Sequence, residues 1–252
     1  MAKPFERSAE YYDSFAFSYG DTTAEIEFLE HCLESFCKRT IHDILDNGCG
    51  TGMYSLPLAQ KGYRVVGIDI SQNMVQVAER KAKEMSADVQ FLCQDMRKLT
   101  YQNEFDAVIC MNSTFNYILT NADVMATLTG FHRALRPNGI VFIDLFNFLT
   151  YFKEPFPVSF QMIDTEQPGM SIVQNIGIDG SDGFYKMRRL GMVDTKSRMD
   201  CYNEDFTYRV FTQPEMVTLF KQTGFKDIHC FASTLPGGVT KPVRLVFVGK
   251  KT

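Results

Sequence analysis

The sequence predicts an α/β fold, a doubly wound and mostly parallel sheet of seven strands with a small antiparallel cap inserted in it. Three observations predict this. Short apolar runs alternate with amphipathic stretches between residues 44 and 145, as parallel strands do when helices form their crossovers. The first run ends in Asp46-Asn47-Gly48-Cys49-Gly50-Thr51-Gly52, and a strand that stops at glycine can bend sharply and let a ligand touch its backbone. From Phe148 to Phe211 the alternation fails, and Pro155, Pro157, Pro168 and the Gly-Ser-Asp-Gly turn at 180–183 separate short alternating runs.

Each element follows in order. Residues 22–37 have helical spacing, with Ile26, Leu29, Leu33 and Phe36 on one face, and cover the sheet. After the first strand a helix is expected over 51–60, then a strand over 63–69. Ser71 is a hydroxyl N-cap for a helix running to about residue 85. Residues 88–95 and 105–111 read as the third and fourth strands and 122–135 as a helix. The turn Arg136-Pro137-Asn138-Gly139 feeds a fifth strand over 140–145. A helix over 214–223, stopped by Gly224, leads to strands at 226–232 and 243–249 joined by Leu235-Pro236-Gly237-Gly238, a hairpin that closes the sheet edge. The division expected is 1–147 for an N-terminal lid and binding core, 148–211 for the cap and substrate wall, and 212–252 for the closing helix and hairpin.

Composition narrows the function. The chain has 252 residues, 45% of them hydrophobic, enough for one large domain with an embellishment. A net charge of −4 supplies no electrostatic footprint for a polyanion, so nucleic acid is not the expected partner. The seven cysteines, at 32, 37, 49, 93, 110, 201 and 230, form no Cys-x-x-Cys pair, and neither a disulfide framework nor a metal site is expected. The N-terminus has no apolar signal region and no stretch of about twenty apolar residues occurs; a cytoplasmic protein without membrane attachment is expected. His132, on the helix before the fifth strand, reads as a packed or surface residue rather than a base.

Charge at the glycine turn selects the ligand. Asp46 stands two residues before the first glycine, where a carboxylate opposes a pyrophosphate but suits an ammonium or sulfonium group. In the dinucleotide pattern Gly-x-Gly-x-x-Gly the third glycine would fall on Met53. An NAD(P)-dependent oxidoreductase is therefore the alternative reading, and a non-catalytic binder of adenosine ligands is another.

Over roughly residues 40–148 and the closing hairpin, the sequence resembles the class I S-adenosylmethionine-dependent methyltransferases. Their acid-x-Gly-x-Gly-x-Gly motif is matched by Asp46, Gly48, Gly50 and Gly52. The resemblance implies a Rossmann-like methyltransferase fold in which these glycines line the methionyl and ribose end of S-adenosylmethionine. It implies that Asp69, followed by Ile70, accepts the ribose hydroxyls, that Asp95 and Met96 hold the adenine, and that Met111 and Asn112 frame the sulfonium and the substrate. The aromatic stretch at 10–20 resembles the lid of small-molecule members, with Tyr12 and Tyr19 as cofactor contacts. Asn47 departs from the family, which has an apolar residue there; a buried amide must find a partner.

The implied activity is methyl transfer to a nitrogen or oxygen nucleophile of a small molecule, leaving S-adenosylhomocysteine, with a general base optional. The stretch Met111-Asn112-Ser113-Thr114-Phe115-Asn116-Tyr117 lacks both the Pro-Pro-aromatic signature of nucleic-acid amine methyltransferases and the Pro-Cys nucleophile used on pyrimidine C5. The layout, with Gln94-Asp95-Met96-Arg97, resembles the sugar-amine N,N-dimethyltransferases. A homodimer is compatible with the chain.

Overall fold

The computed structural model describes residues 5–13, 22–148, 159–164, 168–179, 183–194, 199–233 and 244–252. Its apolar runs become β1 (Asp43–Asn47), β2 (Arg64–Asp69), β3 (Val89–Cys93), β4 (Phe105–Cys110) and β5 (Leu135–Phe146). The helices between and before them are α1 (Thr22–Phe36), α2 (Ser55–Gln60), α3 (Gln72–Met85) and α4 (Asn121–Ala134). Four strands follow, β6 (Ser159–Asp164), β7 (Pro168–Asp179), β8 (Phe184–Asp194) and β9 (Met199–Arg209). The chain then returns through α5 (Gln213–Gln222), β10 (Lys226–Ser233) and β11 (Arg244–Lys250).

Seven strands form one sheet in the order β10-β11-β5-β4-β1-β2-β3, and β6 to β9 form a second, antiparallel sheet. In the large sheet β11 runs against both neighbours, whereas β1 to β5 pair in parallel. Its two faces are buried by alternate residues of the same strands, as a sheet covered on both sides requires. Leu45, Val108 and Cys110 pack with Phe131 of α4 and Phe220 of α5. Ile44, Ala107 and Ile109 pack with Ile26, Leu29 and Leu33 of α1. Strand order reverses between β1 and β4, and open α/β sheets bind ligands outside the carboxyl ends at such a point.

Local chemistry sets the element ends. The Ser71 hydroxyl accepts from the Met74 N–H and starts α3, as its sequence position predicts. Thr212 and Glu215 form a reciprocal capping box on α5. Two boundaries differ from the sequence reading by more than two residues. The helix expected from residue 51 begins at Ser55, because Gly48, Gly50 and Gly52 all take positive φ and the chain needs a further turn to leave them. β5 begins at Leu135, with the Arg136–Gly139 turn inside it as an irregularity: Asn138 is left-handed, and the register against β4 shifts between Phe105 and Ala107.

Two structures stand over the carboxyl ends of the parallel strands. The N-terminal residues 5–13 lie on α3, where Arg80 binds Glu10 through both terminal nitrogens and Lys81 meets Asp13 at 2.7 Å. The same segment reaches β9, with the Ser8 hydroxyl donating to Glu204 Oε2 at 2.5 Å. The antiparallel sheet packs on the core through Tyr185, Met187, Phe206 and Tyr208, against Phe5, Tyr117 and Phe148. Asn116, fully buried, joins the two: its amide donates to the Arg209 carbonyl at 2.8 Å, and its carbonyl accepts from the Phe146 N–H at 3.1 Å. The joining turn predicted at 235–238 lies outside the described residues.

Candidate functional site

The carboxyl ends of β1 to β4 open into a cavity of about 250 Å³. Of the residues that the sequence singles out, Tyr12, Gly48, Gly50, Asp69, Ile70, Asp95 and Met96 line it. Tyr19 lies outside the described residues. Asp46, Gly52, Met111 and Asn112 stand behind the lining.

The three glycines serve different ends. A Cβ on Gly48 would meet Thr114 Cγ2 at 2.1 Å, and one on Gly52 would meet Phe91 and Leu56 at 3.0 to 3.1 Å. Those two let the turn pack on its neighbours. Around Gly50 nothing lies within 4 Å of the Cβ position, although its φ of +55° disfavours a side chain. Gly50 thus forms a bare backbone shelf facing the cavity.

One carboxylate borders that shelf and a second is buried behind it. Asp69, at the end of β2, accepts the Gly50 N–H at 3.0 Å on Oδ2 and the Ser71 N–H at 2.8 Å on Oδ1. Burial pushes its carboxyl above the usual range and these backbone donors partly offset that. Asp46 is only 1% exposed; the Ser55 hydroxyl donates to its Oδ2 at 2.6 Å, and Oδ1 has no hydrogen-bond partner among the described residues. Burial, with a further push from the Asp69 charge, raises its carboxyl to about 7. Such an acid is stabilised in its charged form by a nearby cation.

At the far end of the cavity, Asp95 caps the 3-10 turn Met96–Lys98 and is gripped by Arg97, whose Nη2 lies 2.6 Å from Oδ2. That guanidinium holds the Asp95 carboxyl below its ordinary range. Met96 lies beside it in the lining, while Phe5 and Tyr117 supply aromatic surface. Asn47 is fully buried, and its amide donates to the Leu45 and Ile109 carbonyls at 3.4 and 3.3 Å. His132 packs edge-on against Phe225.

Behind the cavity lies a group that the sequence reading missed. Arg244, 7% exposed, donates through Nη1 to Asp144 Oδ2 at 2.6 Å and to Ser113 Oγ at 3.2 Å. Through Nη2 it donates to Asn112 Oδ1 at 3.1 Å and reaches Glu25 Oε1 at 3.4 Å. The Asn112 amide in turn donates to the Tyr12 phenol at 3.0 Å. The signal was an acid and a base set within apolar strands, Asp144 in Ile140-Val-Phe-Ile-Asp-Leu145 and Arg244 before Leu245-Val-Phe-Val248. Met111, 5% exposed, packs in the core below this group.

A bare glycine shelf, a carboxylate bonded to it and a buried acid with one oxygen unpartnered among the described residues fit an adenosine ligand that carries positive charge. Among the described residues no group of histidine, cysteine and carboxylate side chains has the arrangement to hold a metal, and no helix is long and apolar enough to cross a membrane.

Comparison with known proteins bears on the same residues. A family model described as a methyltransferase domain matches residues 44–139. A curated relative from Bacillus subtilis (strain 168), named "Putative methyltransferase YqeM", is 33% identical over 215 residues, covering 83% of this chain and 84% of its own. Among solved structures, DesVI of Streptomyces venezuelae superposes with a TM-score of 0.81 at 22% identity, over 97% of this chain and 98% of that one. CalS10 of Micromonospora echinaspora, an amino pentose methyltransferase solved with S-adenosylmethionine bound, gives 0.76 at 18% identity over 96% of both chains. The structural likenesses carry the Rossmann-like fold, and the YqeM likeness runs through both the glycine turn and the strands beyond it. By these likenesses the chain belongs to the class I S-adenosylmethionine-dependent methyltransferases.

Proposed function

We propose that this enzyme methylates an amine or hydroxyl of a small molecule, with its cofactor in the cavity between the glycine turn and Asp95. The observation that carries this reading is the pair of carboxylates at the glycine turn, Asp69 bonded to the Gly50 N–H and Asp46 buried beneath the turn, neither with an ion-pair partner among the described residues. When bound, S-adenosylmethionine supplies a methyl group already activated on a sulfonium.

The chain's own part is alignment and exclusion of water. Asp69 has lone pairs left, beyond those facing Gly50 and Ser71, for two ribose hydroxyls. Asp46 lies below the turn as the negative counterpart of a cationic methionyl end. Gln94, Asp95 and Met96 form the adenine end, and Arg97 holds the Asp95 carboxylate in place. Phe5, Tyr12 and Tyr117 form the wall through which an acceptor must approach. Holding the acceptor in line with the methyl can contribute roughly 7 to 11 kcal/mol.

In this reading residues 1–147 form lid and core, 148–211 the substrate wall, and 212–252 the closing helix and hairpin. An amino sugar is the acceptor class to try first, because CalS10, which shares the architecture over nearly its full length, is an amino pentose methyltransferase.

The test is thermal stabilisation by S-adenosylmethionine, S-adenosylhomocysteine and NAD(H) in parallel, each at about 100 times its dissociation constant, where binding adds about 2.7 kcal/mol. A shift with the adenosyl compounds alone, followed by turnover of labelled cofactor on amino sugars and small amines, is the expected result. A shift with NAD(H) alone would overturn the assignment.

A further inference from the structure

We infer that Arg244 is a positioning residue for the cofactor cavity, acting through the Asn112 amide to hold the Tyr12 phenol against it; this rests on the cavity assignment above. An ion pair that served only the fold would need one carboxylate, and Asp144 provides it at 2.6 Å. Arg244 also donates to the Asn112 side-chain carbonyl at 3.1 Å, and the other end of the same amide donates to Tyr12 at 3.0 Å. An amide has one acceptor end and one donor end, and a guanidinium has only donors. Arg244 therefore fixes which way Asn112 points: the flipped amide would set its NH₂ against the guanidinium and turn its carbonyl to Tyr12.

The backbone of the same corner is held by the same pair. Asn112 and Ser113 are both left-handed, with φ of 49° and 65°, an arrangement that persists only where the surroundings impose it. Asp144 imposes it from one side, its Oδ2 accepting the Asn112 N–H at 3.1 Å and its carbonyl the Ser113 N–H at 3.1 Å. Arg244 imposes it from the other through Ser113 Oγ. The corner lies at the carboxyl end of β4, next to Thr114, Tyr117 and Ile118 of the lining. A side chain on the last strand of the fold thereby sets the position of an aromatic residue near its start.

The test is a double-mutant cycle on S-adenosylhomocysteine affinity, measured by titration calorimetry on the full chain, with thermal melts of the free protein alongside. Tyr12→Phe is expected to weaken binding roughly five-fold. Arg244→Lys should keep the contact with Asp144, and with it most of the melting temperature. The single lysine nitrogen replaces the two that serve Asp144 and Asn112 separately, and seated on Asp144 it gives up the Asn112 bond, so this variant should bind about as weakly as Tyr12→Phe. Adding Tyr12→Phe to Arg244→Lys should then cost less than about two-fold further.

Asn112→Gly is a second route that leaves Arg244 and Asp144 paired and suits a positive φ. It should reproduce the Tyr12→Phe loss and be non-additive with it. Wild-type affinity in Asn112→Gly, or independent losses in both cycles, would overturn the inference while leaving the cavity assignment intact. Failure of the wild-type chain to bind S-adenosylhomocysteine would overturn the cavity assignment and this inference with it.

Discussion

The Gly50 N–H donates to Asp69 Oδ2 at 3.0 Å, joining the turn after β1 to the tip of β2 across nineteen positions of sequence. One carboxylate thus shapes the glycine shelf and offers its remaining lone pairs to whatever lies on it. Asp69→Ala removes both functions. In the proposed reading two charge-assisted hydrogen bonds to ribose are lost with it, and cofactor affinity should fall by roughly 1.5 to 3 kcal/mol. The free protein should also lose about 1 kcal/mol, because the Gly50 and Ser71 N–H groups lose their acceptor. Titration calorimetry and urea unfolding measure the two separately, and unchanged affinity would remove Asp69 from the site.

The glycines should separate in the same two assays. Gly48→Ala drives a methyl group into Thr114 Cγ2, 2.1 Å from the ideal position, and should destabilise the fold by about 2 to 3 kcal/mol or more. Thr114→Ala in the same chain makes room and should restore part of that loss. Gly50→Ala meets nothing within 4 Å, so the protein should fold with a loss of about 1 to 2 kcal/mol from its positive φ and lose cofactor binding. A Gly50→Ala variant with wild-type affinity would show that the shelf does not carry the ligand.

Asn116 makes a prediction about the join between core and cap. Its amide serves the Arg209 carbonyl and the Phe146 N–H in a fully buried position. Asn116→Ala leaves both backbone groups without a side-chain partner and should cost about 2 to 4 kcal/mol. Urea unfolding followed by circular dichroism measures it; a loss below about 0.5 kcal/mol would mean that these bonds do not secure the join.

What was legible in the sequence was local. The alternation of β4 and its neighbours, the Ser71 cap and the three glycines after β1 each need only a few residues or one strand-helix-strand unit to show themselves. Joined to the family resemblance, which singles out Asp69, Asp95 and Met96, that sufficed to name residues that meet with Gly48 and Gly50 in one cavity. Asp46 shows the limit: its place at the strand tip was readable, but the choice of its side chain to turn beneath the turn and meet Ser55 depends on packing. Arg244 lay beyond reach for another reason. Its partners Asp144 and Asn112 are 100 and 132 positions away, and only the hairpin's pairing of Arg244 with Phe146 places it beside them. Nor do residue types alone show that three glycines at equal spacing answer to different neighbours.

Asp46 carries a prediction in pH. Its carboxyl has an ordinary value of 3.8 and is raised to about 7 in the fold, chiefly by burial. The folded chain therefore binds this proton more tightly than the unfolded chain does, and between those two values the native state carries the extra proton. Stability must then fall as pH rises through the window from about 4 to 7 and level off above it. The full shift corresponds to on the order of 4 kcal/mol. Asp46→Asn removes the titrating group, so the free protein should become more stable near pH 8 and lose that part of its slope. Ligand binding should have the opposite preference, because the α-ammonium that S-adenosylhomocysteine carries is held better by the charged carboxylate. Affinity for S-adenosylhomocysteine should rise with pH through 7, with a proton released on binding near pH 6. Calorimetry in buffers of different ionisation enthalpy reads that proton directly. Asp46→Asn should abolish the release and weaken binding above pH 7; proton release that survived the substitution would assign the titration to another group in the cleft, with Asp69 the first to examine.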